Sequence, residues 1–179
     1  TDYCRFVLGV TKPYKAIAPL LAEALRRTGQ RRILDLCSGA AGPWLWLQPH
    51  LRELGLEVTV CLSDHSPNLQ AFERARRLAP EAVTYHAEPV DATQVPRELT
   101  GFRTIFTAFH HLRPEQARAA LADVVAKEEG IAIFECGRRS PLLMFLAGLS
   151  TPVRVLLVTP FIRPFRWLRL FWTYLVPVV

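Results

Sequence analysis

The sequence predicts an α/β fold built on a mostly parallel sheet with helices on both faces. Between residues 13 and 134, short runs of apolar and β-branched residues alternate with longer segments whose apolar residues recur every three or four positions. This alternation is typical of parallel sheets, because the crossover between two parallel strands usually runs through a helix. We therefore predict one helix followed by five strand–helix units in a three-layer, doubly wound arrangement.

Each element follows from its local pattern and its boundaries. The first helix is predicted from Pro13 to near Gly29, with Ile17, Leu21 and Leu25 spaced along one face. The predicted strands are Arg32–Cys37, Glu57–Ser63, Val83–Ala87, a run within Phe102–Phe109, and Gly130–Phe134. The other predicted helices run from Pro43 to Leu54, from an N-cap at Ser66 with Pro67 at the first helical position to about Leu78, and from Pro114 onward.

Composition and charge divide the chain into two parts. The 179 residues suffice for one domain with a sizeable core, and 50% apolar with 21% charged residues exclude intrinsic disorder. Residues 1–137 hold sixteen basic and sixteen acidic residues, whereas residues 138–179 hold six arginines and no acid. The net charge of +6 therefore belongs to one segment and does not argue for a nucleic-acid-binding domain. We predict an α/β domain over 1–137 and an apolar, arginine-rich helical extension over 138–179.

The four cysteines form no CxxC pair and no Cys/His cluster with the spacing of a zinc site. We expect no metal, and we interpret these cysteines as small buried residues in a reducing compartment. No secretory signal precedes the fold. The expected location is therefore the cytoplasm, with the inner face of the membrane as an option that the C-terminal segment leaves open.

The stretch from Ile33 to Pro43 predicts a ligand-binding loop. A strand ends at Asp35, and the small residues Ser38-Gly39-Ala40-Ala41-Gly42 lead into a helix. Small residues let a ligand approach the backbone, and a helix N-terminus offers unpaired N–H groups. A dinucleotide would require GxGxxG, but Cys37 occupies the first glycine position. The acid before the loop favours a ligand that carries an ammonium group.

Two further acids follow the next two strands. Asp64 comes after the second strand, where a carboxylate can accept hydrogen bonds from both ribose hydroxyls, and Asp91 comes after the third, where it can accept one from an adenine amino group. Because parallel strands end at one edge of a sheet, these acids and Asp35 are expected to lie together. Together they could hold an amino acid, a ribose and an adenine, which are the parts of S-adenosylmethionine.

With these motifs the chain resembles the class I S-adenosylmethionine-dependent methyltransferases, over about residues 13–136, and Cys37 departs from the family's usual glycine. Asp35 and the loop match the first motif of the family, Asp64 the second, Asp91-Ala92 the third, and the run Phe106–Leu112 the fourth. The resemblance implies a Rossmann-like fold, S-adenosylmethionine as the methyl donor and S-adenosylhomocysteine as the product. The cofactor-binding residues it implies are Asp35, Ser38, Gly39, Ala40, Gly42, Asp64, His65, Asp91, Ala92 and Thr107.

His110 and His111 follow the fourth strand, where the methyl acceptor should lie. A neutral imidazole can accept the proton of an acceptor hydroxyl near pH 7, so we predict a catalytic role, mainly for His110; capping and packing are the alternative roles. The Asn/Asp-Pro-Pro-aromatic motif of base and amide methyltransferases is missing, which argues against nucleic acid and favours a small or lipid-like acceptor. A non-catalytic membrane-associated protein of the same fold and an NAD-linked oxidoreductase are the alternative functions.

The segment 138–179 departs from the strand–helix alternation. Five prolines predict short helices, and Val153–Val158 is the single strand-like run where the resembling enzymes place a hairpin. Either the natural chain continues or helices replace that edge of the sheet. No uncharged stretch reaches the roughly 18–20 residues that span a bilayer. In Phe161–Trp172, arginines alternate with aromatic residues, which is typical of a segment at a membrane interface. A cap over an apolar acceptor pocket and a homodimer surface are the alternatives.

Overall fold

The computed structural model of the chain describes residues 16–135, 141–161, 167–168 and 171–172. The chain divides into two compact units, one formed by Lys12–Glu135 and the other by Thr1–Thr11 together with Cys136–Val179. The first unit holds the sheet and the second holds a long C-terminal helix. The boundary that the sequence predicts after residue 137 stays a prediction.

The first unit is built on a five-stranded sheet in which all four strand pairs are parallel. The strands are β1 (Arg32–Leu36), β2 (Thr59–Leu62), β3 (Val83–Tyr85), β4 (Phe102–Phe106) and β5 (Ile131–Phe134). Their spatial order is β3-β2-β1-β4-β5, so the chain winds outward from β1 in one direction and then in the other. Right-handed crossovers then place helices on both faces of the sheet. The predicted α/β class and doubly wound parallel sheet are confirmed. The prediction of a helix after every strand is wrong between β3 and β4, where residues 86–101 form no helix.

Four helices connect or precede the strands, and their bounds lie close to the predicted ones. They are α1 (Ala18–Thr28), α2 (Trp44–Glu53), α3 (Leu69–Leu78) and α4 (Pro114–Ala126). Leu21 and Leu25 of α1 are fully buried, as their spacing predicts, and Gly29 ends this helix in the left-handed conformation with φ 69°. The predicted start at Pro13 lies outside the described residues.

The predicted N-terminus of α3 is wrong by two residues. The N-cap is Asn68, whose side-chain oxygen accepts a hydrogen bond from the backbone N–H of Ala71 at 3.1 Å. The backbone N–H of Ser66 instead donates to Asp64 Oδ1 at 2.9 Å, which keeps Ser66 in the loop. Asparagine is as good an N-cap as serine, and the neighbouring carboxylate decides which of the two residues takes that place.

One arginine is buried within the sheet. Arg103 of β4 is fully buried, and its guanidinium donates to Asp123 Oδ2 at 2.7 Å. Lys127 binds the other oxygen of the same carboxylate at 2.6 Å and also donates to the backbone carbonyl of Val95. A buried cation needs such a partner, because removing water from an unpaired charge is costly. This network links α4 to β4 and to the loop before it, at a distance from the residues that follow the strands.

The second unit contains α5 (Pro141–Val158), which is 18 residues long and is followed by a single turn of 3-10 helix over Thr159–Phe161. The prediction that each proline ends a short helix is wrong at Pro152, which lies inside α5. A proline removes one helical hydrogen bond but can be accommodated as a kink. The strand-like run Val153–Val158 is likewise helical. Across the described ranges, no helix combines the length and the apolarity that crossing a membrane would require.

Candidate functional site

The candidate site lies where the parallel strands end. The order β3-β2-β1-β4-β5 reverses direction between β1 and β4, and ligands of open α/β sheets bind in the crevice at the carboxyl ends of the strands at such a point. The loops that follow β1 and β4 flank this crevice. Sequence-predicted residues follow four of the five strands, and the topology brings these four strand ends to the same edge.

The loop after β1 has an unusual backbone. Cys37, Gly39, Ala41 and Gly42 have φ values of 56°, 53°, 78° and 55°, so four of its residues are in the left-handed region. Glycine adopts this region readily, whereas a residue with a Cβ atom is strained there. The strain at Cys37 explains why a glycine is expected at this position. The path of the loop is nevertheless kept, because hydrogen bonds hold it at several points.

Asp35 lies beneath this loop, and its side chain is shielded from solvent. It is 1% exposed, and its carboxylate accepts hydrogen bonds from the hydroxyls of Ser38 at 2.6 Å and Thr104 at 2.7 Å. Thr104 belongs to β4, so the carboxylate joins β1, the loop and β4. Burial raises the pKa of Asp35 to about 6, although both hydroxyl hydrogen bonds oppose this shift.

Asp64 holds the loop from the side of β2. Its Oδ2 accepts the backbone N–H of Gly39 at 2.8 Å, and its Oδ1 accepts that of Ser66 at 2.9 Å. The backbone of Ser38 also donates to the carbonyl of Ser63 at 2.9 Å, directly after β2. Asp64 is only partly buried, so one side of its carboxylate remains open to solvent. The structure thus brings Asp64 and the loop together, as the sequence predicts.

Asp91 completes the row of acids. Its Oδ1 accepts both the backbone N–H and the hydroxyl of Thr93, at 2.8 and 2.7 Å, and its backbone neighbour Val90 donates to the carbonyl of Asp64 at 2.9 Å. These hydrogen bonds lower the pKa of Asp91, and the nearby His65 lowers it further. Asp91 and His65 are exposed, whereas Ala92 is buried, so Ala92 belongs to the wall of the site.

Cys37 shows that the three acids converge. Burial raises the pKa of its thiol to about 11, and the carboxylates of Asp64, Asp35 and Asp91 each raise it further. One thiol therefore senses all three carboxylates. Hydrogen bonds also link the three acids, from Asp35 through Ser38 and Gly39 to Asp64, and from Asp64 to Val90 beside Asp91. The role of these acids toward a ligand stays a prediction.

On the other side of the crevice, a histidine is paired with a carboxylate. His110 Nδ1 lies 2.7 Å from Glu135 Oε2, and the backbone N–H of His110 is 3.3 Å from Glu135 Oε1. The ring of His111 lies beside that of His110, with ring centroids 4.0 Å apart and the ring planes tilted by 43°. Both histidines are exposed, in a 3-10 turn over Phe109–His111. Thr107, just before this turn, has φ 52°, and its N–H donates to the carbonyl of Phe134 at 2.8 Å.

Sequence reasoning missed two residues of the site. Thr104 lies in the middle of β4, and Glu135 follows β5, where the sequence shows no recognisable motif. Glu135 could have been predicted from its position directly after the fifth strand, because all parallel strands of the sheet end at the same edge. Among the described residues, no group of three or more His, Cys, Asp or Glu side chains is placed to hold a metal ion.

A pair of glycine substitutions tests how tightly the loop packs on Asp35. A Cβ added to Gly42 would lie 3.2 Å from Asp35 Oδ2 and 3.4 Å from Trp44 Cδ1, whereas one added to Gly39 would meet no atom within 4 Å. Both positions have positive φ, so Gly39→Ala should cost about 1 kcal/mol of unfolding free energy. Gly42→Ala should cost about 2–4 kcal/mol, because the buried carboxylate cannot move aside. Urea unfolding measures both, and equal losses would contradict the packing.

The raised pKa of Asp35 predicts a pH dependence of stability. A carboxyl whose pKa is higher in the folded state than its ordinary value of 3.8 stabilises the fold while protonated, and this contribution is lost as the pH rises from about 4 through about 6. The wild type should therefore lose about 2 kcal/mol relative to Asp35→Asn between pH 4 and pH 7. Urea unfolding at four pH values measures the difference, and parallel curves would show that Asp35 has an ordinary pKa.

Comparison with known proteins addresses the fold. No protein-family model matches the sequence, and no curated protein matches it either. Among solved structures, the S-adenosylmethionine-dependent methyltransferase SibL in its apo form is 19% identical with a TM-score of 0.57, and the match covers 80% of this chain and 43% of SibL.

Two other solved structures are similar over a smaller share of this chain and with lower TM-scores. A likely methyltransferase of the COG1565 superfamily from Burkholderia thailandensis, bound to S-adenosyl-homocysteine, is 23% identical over 53% of this chain and 24% of its own, with a TM-score of 0.42. A SAM-dependent methyltransferase from Aquifex aeolicus is 15% identical over 72% of this chain and 76% of its own, with a TM-score of 0.43. The chain thus spans about a quarter of the first and less than half of SibL. The match to SibL and the strand order show that this chain has the Rossmann-like fold of class I methyltransferases.

Proposed function

We propose that this protein binds S-adenosylmethionine and transfers its methyl group to a small or lipophilic acceptor. The observation that carries the proposal is the grouping of three acids at the switch point of the sheet. Asp35 and Asp64 bind consecutive residues of one small-residue loop, and the residue before Asp91 binds the backbone of Asp64. A ligand with a ribose and an adenine presents donor groups to Asp64 and Asp91, and the negative charge of Asp35 favours an ammonium group on the same ligand. The fold, which this chain shares with methyltransferases, is consistent with that ligand.

The donor set fits the cofactor at Asp64 and Asp91. Each oxygen of the Asp64 carboxylate accepts one backbone N–H, which leaves each with a second lone pair for a ribose hydroxyl. Among the described residues, the hydrogen bonds to Asp91 all reach Oδ1, so Oδ2 can accept from the adenine amino group. Gly39 has open space where a Cβ would lie, so a ligand can approach the loop closely there.

Asp35 acts differently in this proposal. Both of its oxygens already accept hydrogen bonds from protein hydroxyls, and the side chain is buried. Asp35 therefore cannot accept a hydrogen bond from the ammonium group. We assign it the role of holding Ser38 and the loop in place, with its negative charge acting on the cofactor through the loop. Ser38, Gly39, Ala40 and Gly42 would then contact the cofactor chiefly through backbone atoms.

When bound, the cofactor supplies a methyl group on a sulfonium, which transfers to a nucleophile aligned behind it. The protein's task is to align the acceptor and, for a hydroxyl, to remove its proton. Glu135 accepts the N–H of His110 Nδ1, which fixes the tautomer that leaves Nε2 as a proton acceptor. The His110–Glu135 pair therefore favours a hydroxyl acceptor. The ring of His111 contacts that of His110 at an interplanar angle of 43°.

The other functions raised by the sequence receive no such support. A dinucleotide-dependent oxidoreductase would use the loop to bind a pyrophosphate, but three carboxylates close to the loop oppose an anion. A non-catalytic protein of the same fold gives no reason for a histidine held by a carboxylate at the crevice. We also propose that the acceptor is not a nucleic acid, because the basic excess lies outside residues 1–137.

Calorimetric titration with S-adenosylhomocysteine tests the cofactor. We expect binding by the wild type and a loss of about ten- to hundredfold in affinity for Asp64→Asn, which keeps the size of the side chain but removes the charge that favours hydrogen bonds to ribose. Glu23→Gln removes a charge from the exposed face of α1 and should bind like the wild type. If the folded wild type does not bind, the proposed function fails.

Substitution of the histidine–glutamate pair tests the chemistry. With radiolabelled S-adenosylmethionine and a panel of simple phenols and long-chain alcohols as acceptors, His110→Ala should lower turnover by about 10²-fold or more, since general bases contribute this much. Its affinity for S-adenosylhomocysteine should stay unchanged. His111→Ala serves as the matched control and should retain most of the turnover.

A second measurement checks the pair independently of turnover. In the long-range ¹H–¹⁵N NMR spectrum, wild-type His110 should be protonated at Nδ1, and Glu135→Gln should increase the population protonated at Nε2. An unchanged tautomer would show that Glu135 does not orient the ring.

A further inference from the structure

The helix α5 exposes an apolar face along one side. Phe145, Leu149, Val153 and Leu157 are 68%, 68%, 57% and 67% exposed. They are spaced four residues apart, so at 100° per residue they fall within an arc of about 120° on one side of the helix. A water-soluble helix shows the opposite pattern, because its exposed face is usually polar. An apolar stripe of this length indicates an interaction surface.

Exposed aromatic and apolar side chains continue beyond this helix. Phe161 and the described residues Leu168, Phe171 and Trp172 are all exposed, and the rings of Phe171 and Trp172 pack edge to face at 5.4 Å. Tryptophan and phenylalanine at such positions are typical of segments at the depth of lipid headgroups. The arginines that alternate with them, Arg163, Arg166 and Arg169, lie outside the described residues.

Charge distinguishes between the candidate partners. Residues 138–179 contain six arginines and neither aspartate nor glutamate. In a symmetric dimer through this face, two sets of six like charges would approach each other without an acid to neutralise them. A surface of anionic lipids offers both an apolar layer for the stripe and negative headgroups for the arginines.

We infer that α5 is an interfacial helix that binds the surface of an anionic membrane, with the arginines of the sequence 138–179 as the source of positive charge. The stripe formed by Phe145, Leu149, Val153 and Leu157 enters the boundary between headgroups and acyl chains, and the helix lies in the membrane plane. The segment attaches the protein without crossing the bilayer. This inference is independent of the proposed function, because binding to lipid requires neither cofactor nor acceptor.

Flotation of the full chain with lipid vesicles tests this inference. The chain should float with vesicles of 70% phosphatidylcholine and 30% phosphatidylserine, and much less with pure phosphatidylcholine. Binding should weaken as NaCl rises from 0.05 to 0.5 M, because salt screens charge attraction. Vesicles with brominated acyl chains should quench tryptophan fluorescence, and this quenching should disappear in a variant with Trp167→Phe and Trp172→Phe.

A matched pair of double variants locates the surface. Leu149→Glu with Val153→Glu should reduce binding by at least about tenfold, because two apolar contacts become charged. Leu20→Glu with Val125→Glu changes the same residue types and the same net charge at exposed positions of α1 and α4, and should bind like the wild type. Replacing Arg163, Arg166 and Arg169 by glutamine should weaken binding by up to about fivefold per arginine without placing charge on the helix face.

Three results would overturn the inference. The first is that the folded wild type does not float with anionic vesicles at low salt. The second is that both double variants bind vesicles equally well. The third is that analytical ultracentrifugation detects a dimer that does not bind vesicles and that dissociates in the Leu149→Glu, Val153→Glu variant. That outcome would assign the stripe to a second copy of the chain.

Discussion

The buried carboxylate of Asp35 is the interaction on which the site depends. Placing a carboxylate in the interior is unfavourable unless hydrogen bonds replace its water, and here the hydroxyls of Ser38 and Thr104 do so. Asp35 belongs to β1, Ser38 to the following loop and Thr104 to β4. The strand order reverses direction between β1 and β4. Because all three groups are needed at once, the network fixes the loop relative to both strands. Removing the carboxyl group would leave the buried hydroxyl of Thr104 without this acceptor, and Ser38 would keep only the backbone carbonyl of Asp35.

The loop is also fixed before any ligand arrives. Asp64 binds the backbone of Gly39, and Ser38 binds the backbone after β2, so hydrogen bonds hold the loop from two sides. These bonds offset the strain of a backbone that is left-handed at four positions. A preformed loop loses little conformational entropy when a ligand binds. The acids therefore have two tasks, since the carboxylate proposed to bind ribose also maintains the shape of the loop that the cofactor would contact.

The sequence was sufficient to predict those parts of the site that the regular architecture determines. Asp35, Asp64 and Asp91 could be placed together because each lies in the last part of a strand or after it, and parallel strands end at one edge. The pairing of His110 with Glu135 joins residues 25 positions apart through the β4–β5 register, which no local pattern encodes. The N-cap at Asn68 and the helical Pro152 were missed for a related reason. In both cases local propensity left two options, and the choice depended on the surroundings of the residue in the folded chain.

Cys37 shows how the acids make an unusual residue compatible with the proposed chemistry. A thiolate is a strong nucleophile, and a cofactor that donates methyl groups could alkylate one held beside it. Burial and the three carboxylates raise the pKa of this thiol to about 11, so only about one molecule in 10⁴ carries the thiolate at pH 7. At the ordinary pKa of 9.0 the fraction would be about a hundred times larger. The negative charges that suit a cationic ligand thus also keep the thiol protonated, and the remaining cost of cysteine over glycine is the left-handed backbone.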